Sequence, residues 1–171
     1  MIIIFTYNRP GKLFQIINDL KQKTNRNIFV VDDCSDFDMD MFDVEYYRAP
    51  YNGGKKEYWK QWQMALSRCK RSDAKSFIFM PDDFMDLELH RIESIIESFT
   101  TDQPYLVNLI NDGRLQCFQP FTPIHTELCG EPMHRVGFTD CGFFCNRETL
   151  DVLEYRMNPI PDFRWKHRPG S

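Results

Sequence analysis

Short uncharged runs alternate along this chain with stretches whose apolar residues recur every three or four positions. Ile2, Ile3, Ile4 and Phe5 form the first run, as expected of a strand buried on both faces. Residues 6–11 read as a loop, and over 12–23 Leu13, Ile16, Ile17 and Leu20 fall at helical spacing. A second apolar strand spans 27–31 and stops at Asp32-Asp33-Cys34-Ser35-Asp36, after which an aspartate-rich loop leads to a third strand at 44–48. The breaker cluster Tyr51-Asn52-Gly53-Gly54 precedes a helix over 56–69 with Trp59, Trp62, Ala65, Leu66 and Cys69 on its apolar face.

Residues 76–80 form another buried strand, ending at Pro81-Asp82-Asp83. A helix over 87–99 carries the stripe Leu89, Ile92, Ile95, Ile96 and Phe99. Residues 105–110 and 115–118 are spaced to pair as antiparallel strands around Asn111-Asp112-Gly113. A last strand is expected at 138–145 and a last helix at 147–155, before an irregular tail holding Pro159, Pro161 and Pro169. With no repeat or linker, residues 1–171 read as one domain.

Strands alternating with helices predict an α/β fold, a central, mostly parallel mixed sheet flanked by helices. Ligands of such sheets bind beyond the carboxyl ends of the strands. Here those ends carry Thr6-Tyr7-Asn8, Asp32-Asp33 and Asp82-Asp83, so three polar clusters share one rim.

Composition narrows the partners. Hydrophobic residues at 42% and a net charge of −4 describe a globular chain without the basic footprint of a nucleic-acid binder. No apolar run approaches the roughly 20 residues of a membrane span, and no secretory signal is evident, so a cytoplasmic location is expected. The six cysteines read as buried free thiols. Cys141 and Cys145, with His125 and His134 upstream, are the one conceivable zinc set.

Chemistry concentrates at the strand ends. Adjacent carboxylates at Asp82 and Asp83 repel unless a cation or hydrogen-bond donors compensate, and such hard oxygens suit Mg²⁺ or Mn²⁺. The plainer alternative is a helix cap from Asp83 or Asp86. Asp32-Asp33 can accept hydrogen bonds from a ribose or a base, or simply close a turn with Ser35. Asn52-Gly53-Gly54-Lys55-Lys56 before a helix can meet phosphate oxygens, or be a solvated helix start. Neither a Walker loop nor a G-x-G-x-x-G turn is present.

These residues together resemble a known family. Ile3-Ile4-Phe5-Thr6-Tyr7-Asn8-Arg9-Pro10 is similar to the opening strand and loop of family 2-like glycosyltransferases of the GT-A fold. Phe29-Val30-Val31-Asp32-Asp33-Cys34-Ser35-Asp36 resembles their VVDDxSxD segment, and Asn52-Gly53-Gly54-Lys55 their N-x-G stretch. Phe77-Ile78-Phe79-Met80-Pro81-Asp82-Asp83 falls where the family carries its DxD metal motif, with proline in place of the first acid. The likeness runs over about residues 2–84, half the chain.

The resemblance implies a GT-A (nucleotide-diphospho-sugar transferase) fold, with residues 1–84 binding a nucleotide sugar and 85–171 facing the acceptor. It implies donor contacts from Thr6, Tyr7, Asn8, Arg9, Asp32, Asp33, Asn52, Gly53, Lys55 and Asp82, and a Mn²⁺ or Mg²⁺ ligand in Asp83. Its general base is Asp140 or Asp162, and Arg164-Trp165 is similar to the family's Arg-Trp element. The implied reaction inverts the anomeric carbon as a sugar passes from a nucleotide-diphospho-sugar, UDP-linked by preference, to a glycan or other hydroxyl acceptor. Lys56, His134 and Arg135 can add positive charge; Trp59, Phe121 and Trp165 can stack on sugars, although Trp59 and Trp62 at helical spacing are more often core. Three alternatives stand beside it: a sugar-phosphate nucleotidyltransferase, a receiver-like domain and a non-catalytic sugar-binding module.

Overall fold

The uncharged run at the start of the chain becomes the central strand β1 (Ile2–Thr6), buried along its whole length. The computed structural model describes residues 1–83, 89–98, 104–109, 115–118, 127–128, 131–136 and 142–156. After β1 come α1 (Pro10–Lys23), β2 (Ile28–Asp32), a 3-10 turn (Met39–Phe42), β3 (Glu45–Arg48), α2 (Gly54–Lys70), β4 (Ser76–Pro81) and α3 (Leu89–Ser98). Then follow β5 (Leu106–Leu109), β6 (Leu115–Phe118), β7 (Glu127–Leu128), β8 (Glu131–Val136), β9 (Phe143–Asn146) and α4 (Arg147–Val152).

Among the described residues the sheet runs β3-β2-β1-β4-β9-β5-β6-β8-β7. The four strands from β3 to β4 are parallel, with Thr6 opposite Asp32 and Phe5 opposite Pro81. Beyond β4 the expectation of a mostly parallel sheet fails: β9 is antiparallel to both β4 and β5, and β5 is antiparallel to β6. The β5–β6 pair is the antiparallel one the sequence predicts, because the two strands are too close in the chain for a crossover; the departure is β9, inserted antiparallel between β4 and β5. β8, which the apolar pattern did not reveal, pairs parallel to β6. Its sequence Glu-Pro-Met-His-Arg-Val lacks both an apolar run and clean alternation.

Side-chain alternation along the strands divides the core into two layers. Ile2, Ile4, Val30, Ile78, Met80 and Phe144 face α1 and α3, with Met39 and Phe42 of the 3-10 turn closing that side. Ile3, Phe5, Val31, Phe77, Phe79 and Phe143 face α2 and α4. Trp62 of α2 belongs to this second layer. Its ring lies 4.5 Å from Phe5 and 5.2 Å from Phe79, and stacks on Phe143 at 5.4 Å. Trp59 is only half-buried.

Element ends differ from expectation for local reasons. α1 opens at Pro10, two residues early, because proline's missing N–H costs nothing in the first turn. α4 ends at Val152 rather than 155, where Glu154 and Tyr155 adopt positive φ. Arg147 ties α4 to the segment before β4, donating to the carbonyls of Ser72 at 2.5 Å and Ala74 at 2.7 Å. Cys69 and Cys145 are buried free thiols, and burial pushes Cys69 up to about 12. Cys34 is half-buried. Cys129, Cys141 and His125 lie outside the described residues, so of the conceivable zinc set only Cys145 and His134 are described.

Phe79 packs against both the Trp62 and Phe143 rings and is fully buried. Phe79→Ala is expected to cost about 3–5 kcal/mol, read as a lower denaturant midpoint with the slope retained.

Candidate functional site

The register of the parallel strands decides what the rim holds. At the carboxyl ends of β1, β2 and β4 the ladder continues into the loops: Asp33 N–H donates to the Thr6 carbonyl at 3.0 Å and Asp82 N–H to the Phe5 carbonyl at 3.0 Å. Thr6, Asp32-Asp33 and Asp82-Asp83 are therefore neighbours on one edge, as strand order alone requires.

Asp82 is buried, and both its oxygens are engaged. Thr6 Oγ1 donates to Oδ2 at 2.7 Å, and Arg9 Nη1 donates to Oδ1 at 3.0 Å. The same Arg9 nitrogen donates to Asp83 Oδ2 at 3.2 Å. Asp83 is half in water, with its side chain 46% exposed against 4% for Asp82. Burial is the main influence on the Asp82 carboxyl and pushes it up; Thr6 and Arg9 oppose that, and the Asp83 charge adds to it.

The other acids are bonded to neighbouring loops. Asp32 is fully buried; it accepts from Ser35 N–H and Oγ, and from Arg48 Nε at 2.9 Å. Arg48 lies directly opposite it in the β2–β3 register and also reaches the Phe37 carbonyl. Asp33 accepts from the amides of Gly53 at 3.0 Å and Gly54 at 3.1 Å, so its carboxylate already sits on the N-terminus of α2. Both positions favour glycine. A side chain at 53 would meet Glu57 Cβ at 2.8 Å, and Gly54 has φ of +50°. Two of the amides that the sequence offers to phosphate, those of Gly53 and Gly54, are filled from within.

Asn8 is fixed to the β2 loop. Its N–H donates to Ser35 Oγ at 2.8 Å, its amide donates to Asp36 Oδ2 at 2.9 Å, and its Oδ1 accepts from Asp36 N–H at 2.7 Å. Its φ of 51° is one asparagine tolerates. Tyr7 beside it is 44% exposed. Asn52 and Lys55 are exposed at the start of α2. The structure thus brings Thr6, Arg9, Asp82 and Asp83 into direct contact and commits Asn8, Asp32 and Asp33 to holding loops.

Asp140, Asp162, Arg164, Trp165 and Phe121 lie outside the described residues; His134 and Arg135 are on β8 by backbone alone. Sequence reasoning missed Arg48 as the partner of Asp32, although an arginine closing the neighbouring strand was a usable signal. Among the described residues, no group of three or more His, Cys, Asp or Glu is placed for a metal. The two carboxylates at 82 and 83 have the hard oxygens that Mg²⁺ or Mn²⁺ prefers. Both Asp82 oxygens are engaged by Thr6 and Arg9, so of the two it is the half-exposed Asp83 that would hold such an ion. Among the described residues no helix is long and apolar enough to cross a membrane.

The fold itself, a mixed sheet flanked by helices, has a counterpart among solved structures. No family model matches the sequence, and no curated protein does. A CMP:2-keto-3-deoxy-manno-octonic acid synthetase solved in complex with CTP is similar over 97% of this chain and 81% of its own, with a TM-score of 0.50 and 10% identity. At that identity the likeness establishes a shared fold.

Two outcomes follow from this geometry. Asp33→Ala removes the acceptor of both glycine amides and is expected to cost about 1–3 kcal/mol of stability, read by denaturant unfolding. For Asp82, the folded state keeps its proton to higher pH than the unfolded chain does. Linkage then makes stability fall as pH rises from near the ordinary 3.8 through the raised value. The difference between wild-type and Asp82→Asn unfolding profiles across that range should show wild type losing ground as pH rises.

Proposed function

We propose that this chain is an enzyme that binds a nucleotide sugar on the rim formed by β1, β2 and β4 and transfers its glycosyl group to a hydroxyl acceptor. The observation that carries the reading is the contact set of Thr6, Arg9, Asp82 and Asp83, four polar residues from the ends of two adjacent parallel strands. Support also comes from the motif order of the first half of the chain and from the exposed Tyr7 ring beside that set.

In this reading Tyr7 stacks on the base, as an amphipathic ring half in water is suited to do. Asp83, the accessible acid, faces the diphosphate side of the donor, while Thr6 holds Asp82 in a fixed orientation behind it. Asp32 and Asp33 act as positioning residues. Asp32 fixes the turn through Ser35 and Arg48, and Asp33 fixes the Asn52–Gly54 stretch over the site. When bound at Asp83, Mg²⁺ or Mn²⁺ supplies positive charge for the leaving diphosphate. A carboxylate from the acceptor half, Asp140 or Asp162, takes the acceptor hydroxyl's proton, a role worth about 10²–10⁴-fold in rate.

The second reading is nucleotidyl transfer to a sugar, and the fold likeness speaks for it: the similar synthetase was solved with CTP. Against it stands the loop after β1. The chain passes from Thr6 through Tyr7, Asn8 and Arg9 straight into α1, and the Asn8 amide is already taken by Ser35. A nucleotidyltransferase would want a glycine-rich loop with free amides there.

Calorimetric titration with UDP, UDP-sugars and CTP, each with and without Mn²⁺, tests the reading. Binding of a UDP-sugar that weakens about tenfold or more in Asp83→Ala supports it, a loss of about 1.4 kcal/mol. Preference for CTP, with pyrophosphate released when a sugar substrate is added, moves the assignment to nucleotidyl transfer. Absence of any nucleotide binding overturns both.

A further inference from the structure

The turn that leads into α2 holds the single Asn-Gly step of the chain, Asn52-Gly53. Such a step is the one most open to deamidation, because glycine has no side chain to hinder attack of its nitrogen on the preceding carboxamide. Asn52 is exposed to water. Its Oδ1 lies 3.5 Å from the point where a side chain on Gly54 would begin, so the carboxamide leans over the glycines. A larger residue at 53 would slow the attack, but its Cβ would meet Glu57 Cβ at 2.8 Å. The fold therefore retains a reactive step at the start of α2.

One contact opposes the reaction. The Gly53 nitrogen must lose its proton before its lone pair can attack Asn52 Cγ. That N–H donates to Asp33 Oδ1 at 3.0 Å, and the Gly54 N–H donates to Oδ2 of the same carboxylate at 3.1 Å. Asp33 is buried, so water competes little for these bonds. Removing the Gly53 proton would set a negative nitrogen against a buried negative carboxylate, which like-charge repulsion disfavours. The paired bonds also fix the peptide plane, so the nitrogen cannot swing freely toward Cγ.

We propose that Asn52 is a deamidation site guarded by the Asp33 carboxylate, and that it reacts when this contact opens. In the reaction a base in water takes the Gly53 proton and the nitrogen bonds to Asn52 Cγ. The Cγ–Nδ2 bond then breaks, and the leaving nitrogen takes up a proton to depart as ammonia. Water opens the resulting cyclic imide at either carbonyl. Cleavage of the new Cγ–N bond leaves an aspartyl residue at position 52. Cleavage of the original peptide C–N bond leaves an isoaspartyl residue, with an extra carbon in the main chain. Both products add a carboxylate beside Asp33, and the isoaspartyl form also lengthens the turn before α2. This chemistry is independent of whether the rim binds a nucleotide.

The test is incubation of the full chain at mildly alkaline pH, with peptide mass mapping of the amide-to-acid change at Asn52. Native wild type should react about tenfold or more slowly than the same chain in urea, the rate effect of one charge-assisted hydrogen bond. Asp33→Ala, checked for folding by circular dichroism, should close most of that gap. In urea the variant and wild type should react equally, since the contact exists only in the folded chain. Phe79→Ala, destabilised but with Asp33 in place, should stay near the native wild-type rate, which separates loss of the contact from loss of stability. Asp33→Ser, polar but uncharged, serves if Asp33→Ala fails to fold. Equal rates in native and denatured wild type overturn the proposal. So does a folded Asp33 variant that reacts no faster than wild type, or a Phe79→Ala chain that reacts as fast as the Asp33 variant.

Discussion

Pairing of β1 with β2 on one side and β4 on the other is the constraint on which the rest of this structure depends. The first strand is uncharged and wholly buried, so every one of its backbone groups must be satisfied by a neighbouring strand. The parallel register then aligns the three carboxyl ends, and whatever polar residues follow those strands become one rim. The convergence of Thr6, Asp32 and Asp82 comes from this backbone alignment and does not require attraction between their side chains. The two apolar layers follow from the same strand, since Ile2 and Ile4 point to one face and Ile3 and Phe5 to the other.

A cluster of carboxylates at such a rim invites a catalytic reading, and the geometry divides them. Asp32 and Asp33 are both buried and bonded to chain elements a few to twenty residues away. They work as fasteners, replacing the water that the strand ends would otherwise need with charge-assisted hydrogen bonds. Asp82 is of a mixed kind: buried like the fasteners, yet bonded to Arg9, which is itself half in solvent. Only Asp83 among the four presents a half-exposed carboxylate. Burial thus separates the acids bonded to neighbouring loops from the one that reaches water.

The antiparallel entry of β9 between β4 and β5 gives the sheet its mixed character. It also places α4 against α2, with Arg147 satisfying the carbonyls of Ser72 and Ala74. Asn146, at the junction of β9 and α4, accepts from Thr149 N–H and from the Tyr105 N–H, joining the helix cap to β5. One buried amide therefore closes a helix and aligns a strand.

Much of the fold was legible in the sequence because its signals are local. The apolar runs at 2–5, 27–31 and 76–80 and the helical stripes of α1 and α2 read directly, as did the β5–β6 hairpin. The acids at the ends of β2 and β4 were legible for the same reason. What the sequence did not disclose was their partners. Arg9 and Asp82 stand 73 positions apart, and Asp33 meets Gly53 across 20. No periodicity records such pairs; they arise only when strand order and register bring distant loops to one edge. Local apolar spacing decided which segments become strands and helices, because burial of each face depends on neighbouring residues. Tertiary structure decided which acids became fasteners and which stayed open, because desolvation and hydrogen-bond supply exist only once the strands are packed.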